Sequence, residues 1–271
     1  MSESSAVFPL TPVESKRLIA KGVAALPVVQ AALATGRVFI AAGTTNGYVA
    51  EELLGVEVVK YRYATGLVTQ GTLCVTPPGD RVPPYAVRQG EILEGVSLEE
   101  LLAEFTADDV FIKGGNALDS SGTVGVLVSG ATGGTIGAAL GIVQGRGAHL
   151  IMPVGLEKMV SSVAAAARAA GSSRFRYAYG SAAGLIPVVG AEVVTELTAL
   201  RLLTGVDAVH LASGGVGGSE GAVVIAVTGA EEAVANAFRL VQRLKKETPC
   251  TAVRRTCGRD CTYHCTRHAR L

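Results

Sequence analysis

Apolar residues along the chain form short continuous runs that alternate with segments of helical spacing. Residues 38–42 and 124–128 are continuous apolar runs, which is the pattern of strands covered on both faces. Between such runs, apolar residues recur every three or four positions, as in amphipathic helices. This alternation continues to residue 170 and predicts a mostly parallel sheet with right-handed crossover connections.

Turn and capping residues give approximate bounds for these elements. Thr11 with Glu14 three residues later forms a capping-box pattern, and Gly55 is expected to end a helix. The four prolines between residues 76 and 90 predict an irregular connection. The predicted helices are residues 11–34, 48–54, 97–104, 135–143 and 156–170, and the predicted strands are residues 38–42, 56–63, 66–75, 109–113, 124–128 and 149–154.

After residue 171 the order of the predicted elements changes to strand, helix, strand, strand, helix. This order matches most of a ferredoxin-like split β-α-β unit. Its predicted elements are residues 174–179, 191–203, 206–213, 222–228 and 231–246. The predicted fold class is therefore α/β: a Rossmann-like, mostly parallel sheet domain at residues 1–170, a smaller ferredoxin-like α+β domain at residues 171–247, and a basic, cysteine-rich tail at residues 248–271.

The composition fits such a protein and excludes several other classes. Hydrophobic residues make up 49% of the 271 positions and glycine occurs 34 times, which argues against disorder and against a disulfide scaffold. The net charge of +1 gives no general attraction to nucleic acid or acidic lipid, so neither partner is expected. Residues 120–144 carry no charge, but their glycines and hydroxyl groups favour a strand, a loop and a buried helix over a membrane span. Without a signal-peptide pattern, the protein is predicted to be cytoplasmic.

Three predicted loops follow strands and combine glycine with polar residues. The first lies between a buried strand and a helix, so that backbone N–H groups and the positive end of the helix dipole would face a bound anion. Loops that follow parallel strands meet at one edge of a sheet, so we expect all three to line one crevice. The predicted ligand-binding residues are Gly43, Thr44, Thr45, Asn46, Lys113, Gly114, Asn116, Thr132, Gly133, Gly134 and Thr135.

Three segments resemble a known superfamily. It contains ribose-5-phosphate isomerase, glucosamine-6-phosphate deaminase, the CoA-transferases and the effector domains of sugar-operon repressors. Residues 42–46 resemble its early phosphate-binding turn, residues 109–119 resemble the strand and loop that carry its acidic residues, and residues 149–158 resemble a later segment. The resemblance implies a Rossmann-like domain that holds a phosphosugar, a CoA-type ligand or a small carboxylate.

By position, the resemblance also implies roles for individual residues. Thr44, Thr45 and Lys113 would meet the anionic group, and Asp119 would be the catalytic acid or base. The isomerases carry paired acids in the loop where this chain has Gly114-Gly115-Asn116. This departure favours binding over isomerase or transferase chemistry.

The same residues also have plain structural interpretations. Residues 43–45 could be only a tight turn, with Thr45 or Asn46 as the helix cap. Asp119 could cap a turn, and Lys113 could be a solvated surface residue. The leading hypothesis is a homo-oligomer that binds a small anionic molecule, with or without an isomerase- or transferase-type reaction.

The tail suggests a second function. Cys250, Cys257, Cys261 and Cys265 lie within sixteen residues, and clustered thiolates in a protein that is not secreted suit zinc or an iron–sulfur cluster. Their spacing lacks the C-x2-C pairs of common metal sites, so redox thiols and a functionally silent tail remain alternatives. The alternative function is a metal-binding sensor or interaction protein.

Overall fold

The computed structural model describes residues 3–250. The strands are β1 (Glu3–Leu10), β2 (Arg37–Ile40), β3 (Gly66–Thr69), β4 (Thr72–Val75), β5 (Tyr85–Arg88), β6 (Glu91–Ile92), β7 (Val110–Ile112), β8 (Ala117–Leu118), β9 (Val124–Val128), β10 (His149–Pro153), β11 (Gly184–Val188), β12 (Glu192–Val194), β13 (Asp207–Gly214) and β14 (Ala222–Ala230). The helices are α1 (Pro12–Ala25), α2 (Pro27–Thr35), α3 (Thr44–Leu54), α4 (Leu98–Ala103), α5 (Gly134–Arg146), α6 (Val163–Ala169), α7 (Glu196–Thr204) and α8 (Glu231–Leu244). Two short 3-10 helices lie at Pro78–Asp80 and Leu156–Lys158.

The central sheet has six strands in the order β12-β10-β7-β2-β5-β6. Strands β12, β10, β7 and β2 are parallel, whereas β5 and β6 pair antiparallel with their neighbours. Val38 and Ile40 of β2 belong to the apolar cluster formed with α1, α2 and α3, and Phe39 belongs to the cluster on the other face. There its ring stacks on Phe111 of β7, with centroids 5.3 Å apart. Coverage of both faces explains the continuous apolar runs and confirms the α/β class with parallel strands.

Smaller sheets flank the central one. β1, β14 and β13 form an antiparallel sheet, β11, β9 and β8 form another, and β3 pairs with β4 in a hairpin. Helix α8 buries its apolar stripe in the cluster that contains Val223, Ile225 and Val227 of β14. The first of these sheets thus extends the core on the Phe39 face.

Many of the predicted elements are present with bounds that differ by a few residues. The helical region at residues 11–34 is α1 followed by α2, with the break at Leu26 before Pro27. The predicted capping box is formed, with the Thr11 N–H donating to Glu14 Oε2 at 3.0 Å. Gly55 ends α3 in the left-handed conformation, at φ 65°, where glycine has no Cβ to clash.

One strand predicted in the first half is wrong, and another is divided in two by a turn. Residues 56–63 contain no strand and form a loop that leads to the buried Tyr63. Residues 66–75 are the hairpin β3–β4, because Gln70 and Gly71 both have positive φ and form a two-residue turn. Strands β5 and β6 lie in and just after the segment predicted to be irregular.

Further corrections fall in the second half. Residues 156–170 hold a 3-10 turn and α6 rather than one helix, and residues 174–179 contain no strand. The predicted helix at 191–203 begins with β12, and its helical part is α7. Strands β1, β8 and β11 were not predicted.

Two strand pairings cross the predicted boundary at residue 170. Strand β12 pairs with β10 in the central sheet, and β1 pairs along its whole length with β14. The hydrogen-bonded sheets are therefore continuous across that boundary, and the specific Rossmann-like and ferredoxin-like arrangement is not confirmed. The tail from residue 251 lies outside the described residues.

Within residues 3–250, no single helix is both long enough and apolar enough to cross a membrane. Helices α1 and α2 have the length and composition of a membrane span only when they are counted as one segment, and a bend of 64° separates them. The uncharged segment at 120–144 contains β9 and most of α5.

Candidate functional site

A cavity of about 420 Å³ opens at the edge of the central sheet where β2 and β7 end. Its volume falls in the range of small-molecule sites, roughly 300–1,000 Å³. It is lined by the loops that follow β2, β7 and β9 and by the β3–β4 hairpin. The predicted ligand-binding residues in its lining are Gly43, Thr44, Thr45, Asn46, Lys113, Gly114, Asn116, Gly133, Gly134 and Thr135.

The first wall is the N-terminus of α3. The Gly43 N–H donates to the Tyr63 carbonyl at 2.8 Å, which fixes the turn. Among the described residues, the backbone N–H groups of Thr44, Thr45 and Asn46 have no hydrogen-bond acceptor. These groups and the helix dipole make this wall attractive to an anion.

Asn46 connects this wall to the central sheet. Its side chain is fully buried, and its amide nitrogen donates to Ala41 O at 2.7 Å and to Ile112 O at 3.4 Å. Its Oδ1 atom is buried and has no partner within residues 3–250. An unpaired acceptor is costly to bury, so a donor group on a ligand would compensate for it.

The second wall is the loop that follows β7. The Lys113 Nζ donates to Gly114 O at 3.3 Å, and the Lys158 Nζ donates to the next carbonyl, Gly115 O, at 2.9 Å. Gly115 cannot carry a side chain, because a Cβ there would lie 2.2 Å from Val124 Cγ1. Burial, and then the charge of Lys158, lowers the pKa of Lys113 to about 8.

The third wall is the loop that follows β9 and the start of α5. Gly133 and Gly134 have φ of 79° and 59°, and within the described chain the N–H groups of Gly134, Thr135 and Ile136 have no acceptor. This loop was expected at the edge of the parallel sheet, but β9 pairs antiparallel with β8 and β11 in a separate sheet. The three loops converge because the two sheets pack with their loops facing one cavity.

The β3–β4 hairpin and Arg81 form a further part of the lining that sequence reasoning missed. Arg81 Nε donates to Thr76 O at 2.7 Å. A signal for the hairpin was available: Gln-Gly occurs at residues 70–71 and again at 89–90, and in both places it forms a two-residue turn with positive φ. Lys158, which lies at the start of the helix predicted at residues 156–170, also lines the cavity.

The lining is electrostatically one-sided. It carries the basic side chains Arg81, Lys113 and Lys158 and no aspartate or glutamate. None of these three side chains forms a salt bridge within residues 3–250. Uncompensated positive charge in a concave, partly apolar site favours an anionic ligand.

Asp119 and Thr132 lie outside the lining. The Asp119 carboxylate accepts hydrogen bonds from Ser121 Oγ at 2.6 Å, from the N–H groups of Ser121 and Thr123, and from the Val163 N–H at 2.8 Å. These bonds, with that from Ser121 first, lower the pKa of Asp119. The Asp119 carboxylate already accepts four hydrogen bonds and has a lowered pKa. It therefore organises a turn and the start of α6 rather than accepting a proton from a ligand.

Asn116 lines the cavity, and its side-chain oxygen accepts the Leu127 N–H at 3.0 Å. It therefore ties the loop after β7 to β9.

Of the predicted metal ligands, Cys250 is an exposed free thiol, and Cys257, Cys261 and Cys265 lie outside the described residues. Residues 3–250 contain no group of three or more His, Cys, Asp or Glu side chains that could hold a metal.

Comparison with known proteins gave no match to any family model, curated protein or solved structure.

Proposed function

We propose that the protein binds a small molecule with a phosphate group, of the size of a sugar phosphate, in the cavity between α3, α5 and the β3–β4 hairpin. The observation that carries the proposal is the lining, which combines three basic side chains with the free N-termini of two helices and contains no carboxylate. The phosphate would bind the N–H groups at residues 44–46, and the three basic side chains of the lining would supply the compensating positive charge.

Two further observations support this class of ligand. The resemblance of residues 42–46 and 109–119 to the sugar-phosphate isomerase superfamily suggests the same kind of ligand. The hairpin residues Leu67, Val68 and Leu73 add apolar lining opposite the polar loops, as expected for a site that holds a carbon skeleton as well as an anion. A reaction that uses Asp119 as the base has no support from its position.

The test is a calorimetric titration of the full-length protein with ribose 5-phosphate, glycerol 3-phosphate and coenzyme A, with ribose and glycerol as uncharged controls. We expect the phosphate esters to bind and the uncharged controls not to bind. The double variant Thr45→Val, Lys113→Met should lose at least about tenfold in affinity, because a charge-assisted hydrogen bond contributes about 1.5–3 kcal/mol.

The matched control is Arg201→Met, in a basic surface patch formed by Lys21, Arg201, Arg239 and Arg243. It removes one positive charge from a residue that does not line the cavity and should leave the affinity unchanged. Equal losses in Arg201→Met and in the double variant would show that the esters bind through general surface charge, and would contradict the proposal.

A further inference from the structure

Two lysine side chains, Lys113 and Lys158, line the cavity, and the lining contains no carboxylate among the described residues. The ammonium groups of Lys113 and Lys158 donate to the consecutive carbonyl oxygens of Gly114 and Gly115, at 3.3 and 2.9 Å. Neither forms a salt bridge within the described part of the chain. The positive charge of Lys158 acts on Lys113, and repulsion between two ammonium groups is relieved when one of them loses its proton.

Lys113 is the lysine whose charged form is destabilised in the folded protein. Desolvation by burial, with the charge of Lys158 second, lowers the pKa of Lys113 to about 8. At pH 7 about a tenth of such a lysine is the neutral amine, against roughly one in three thousand for an ordinary lysine. A lysine made nucleophilic by desolvation and by a neighbouring cation is a recognised route to Schiff-base chemistry.

We propose that Lys113 is an amine nucleophile that forms an imine with a small aldehyde or ketone carrying a phosphate group. This inference rests on the proposed binding function and specifies the chemistry that the site performs. The phosphate at the N-terminus of α3 would hold the carbonyl carbon near the end of the Lys113 side chain, since both groups line the same cavity.

The reaction needs no oxidant or second substrate. The lone pair of the neutral Lys113 nitrogen forms a bond to the carbonyl carbon, and the π electrons of the C=O bond move to oxygen. The two protons of the amine are transferred in turn to that oxygen, which leaves as water while the C=N bond forms. Lys158 is a positioning residue in this scheme, because its charge keeps part of Lys113 neutral without its contacting the carbonyl.

The experiment treats the full-length protein with D-glyceraldehyde 3-phosphate and sodium cyanoborohydride at pH 7, and maps the reduced adducts by peptide mass spectrometry. The exposed Lys246 serves as the internal reference for ordinary lysine reactivity. We expect modification at Lys113 to exceed that at Lys246 by at least about tenfold. Glycerol 3-phosphate, which has no carbonyl group, should protect Lys113 but not Lys246.

Two variants sharpen the test. Lys113→Arg keeps the positive charge but cannot form an imine, so the adduct at position 113 should be lost while modification of Lys246 stays unchanged. Lys158→Gln removes the neighbouring charge, so the rate of Lys113 modification should fall at pH 7 and recover as the pH is raised towards 10.

The outcomes separate this inference from the proposed function. If glycerol 3-phosphate binds but Lys113 reacts no faster than Lys246, or if the adduct maps to Lys158, the imine chemistry is wrong and the binding function stands. If glycerol 3-phosphate neither stabilises the wild-type protein nor protects Lys113, the binding function fails as well. Failure of Lys113→Arg to fold leaves the wild-type comparison of Lys113 with Lys246 decisive.

Discussion

Replacement of Glu196 by glutamine should change how the stability of the protein depends on pH. Glu196 is the first residue of α7, is fully buried, and accepts the Leu156 N–H at 3.0 Å. Burial, with the charge of Glu157 second, raises the pKa of Glu196 from an ordinary 4.5 to about 7. Lys16 is the other charged group beside it, and burial lowers the pKa of that ammonium.

The sign follows from the direction of the shift. A carboxyl group with a raised pKa in the folded state stabilises the protein fully below its unfolded pKa, and this contribution is lost as the pH rises through 7. From 4.5 and about 7, the loss between pH 5 and pH 8 is roughly 2.5 kcal/mol. Glutamine cannot ionise but keeps an acceptor for the Leu156 N–H, so Glu196→Gln should gain about that much relative to the wild type over this range.

The assay is urea denaturation of both proteins at pH 5, 6, 7 and 8, which compares free energies of unfolding at each pH. The same substitution at the exposed Glu192 of β12 is the matched control and should change stability by less than about 0.5 kcal/mol throughout. A constant difference between Glu196→Gln and the wild type at every pH would refute the reasoning, because it would mean that Glu196 does not titrate in this window.

Two further predictions concern glycine packing and Asp119. Gly141→Ala in α5 should raise the free energy of unfolding by about 1 kcal/mol, since a Cβ there meets no atom within 4 Å. Gly22→Ala in α1 should lower the free energy of unfolding by about 1–3 kcal/mol, because its Cβ would lie 2.6 Å from Ala199 Cβ. A lower melting temperature for Gly141→Ala, or a higher one for Gly22→Ala, would contradict the packing described. Asp119→Asn should lower the melting temperature, because an amide group cannot accept all four of the hydrogen bonds, but the folded protein should still bind glycerol 3-phosphate. Loss of binding without loss of stability would assign Asp119 to the ligand instead.

Much of the central sheet could be predicted from the sequence because burial on both faces leaves a direct record. The central strands β2, β7 and β10 and the neighbouring strand β9 are largely apolar, and the glycine-rich loops after β2, β7 and β9 are predicted to meet at one site. The loops do line one cavity. What the local sequence could not show was that β9 belongs to a different sheet, since its pairing with β11 joins residues about 60 positions apart.

The errors have physical causes at particular residues. Residues 56–63 have a strand-like composition, but Tyr63 is held by hydrogen bonds of its hydroxyl to Ile40 O at 2.5 Å and of its carbonyl to the Gly43 N–H. Tertiary contacts therefore override β propensity in this segment. The basic groups Arg81 and Lys158 were missed because each lies at the end of a short 3-10 helix far from Lys113 in sequence, and only the folded chain brings all three into one lining.

The most direct test of the central claim is a crystal structure of the protein with glycerol 3-phosphate. The account predicts density for the phosphoryl group within hydrogen-bonding distance of the N–H groups at residues 44–46, with the rest of the ligand inside the cavity that Lys113 lines. Density for the ester on the surface patch of Lys21, Arg201, Arg239 and Arg243, with the cavity empty at saturating ligand, would contradict it.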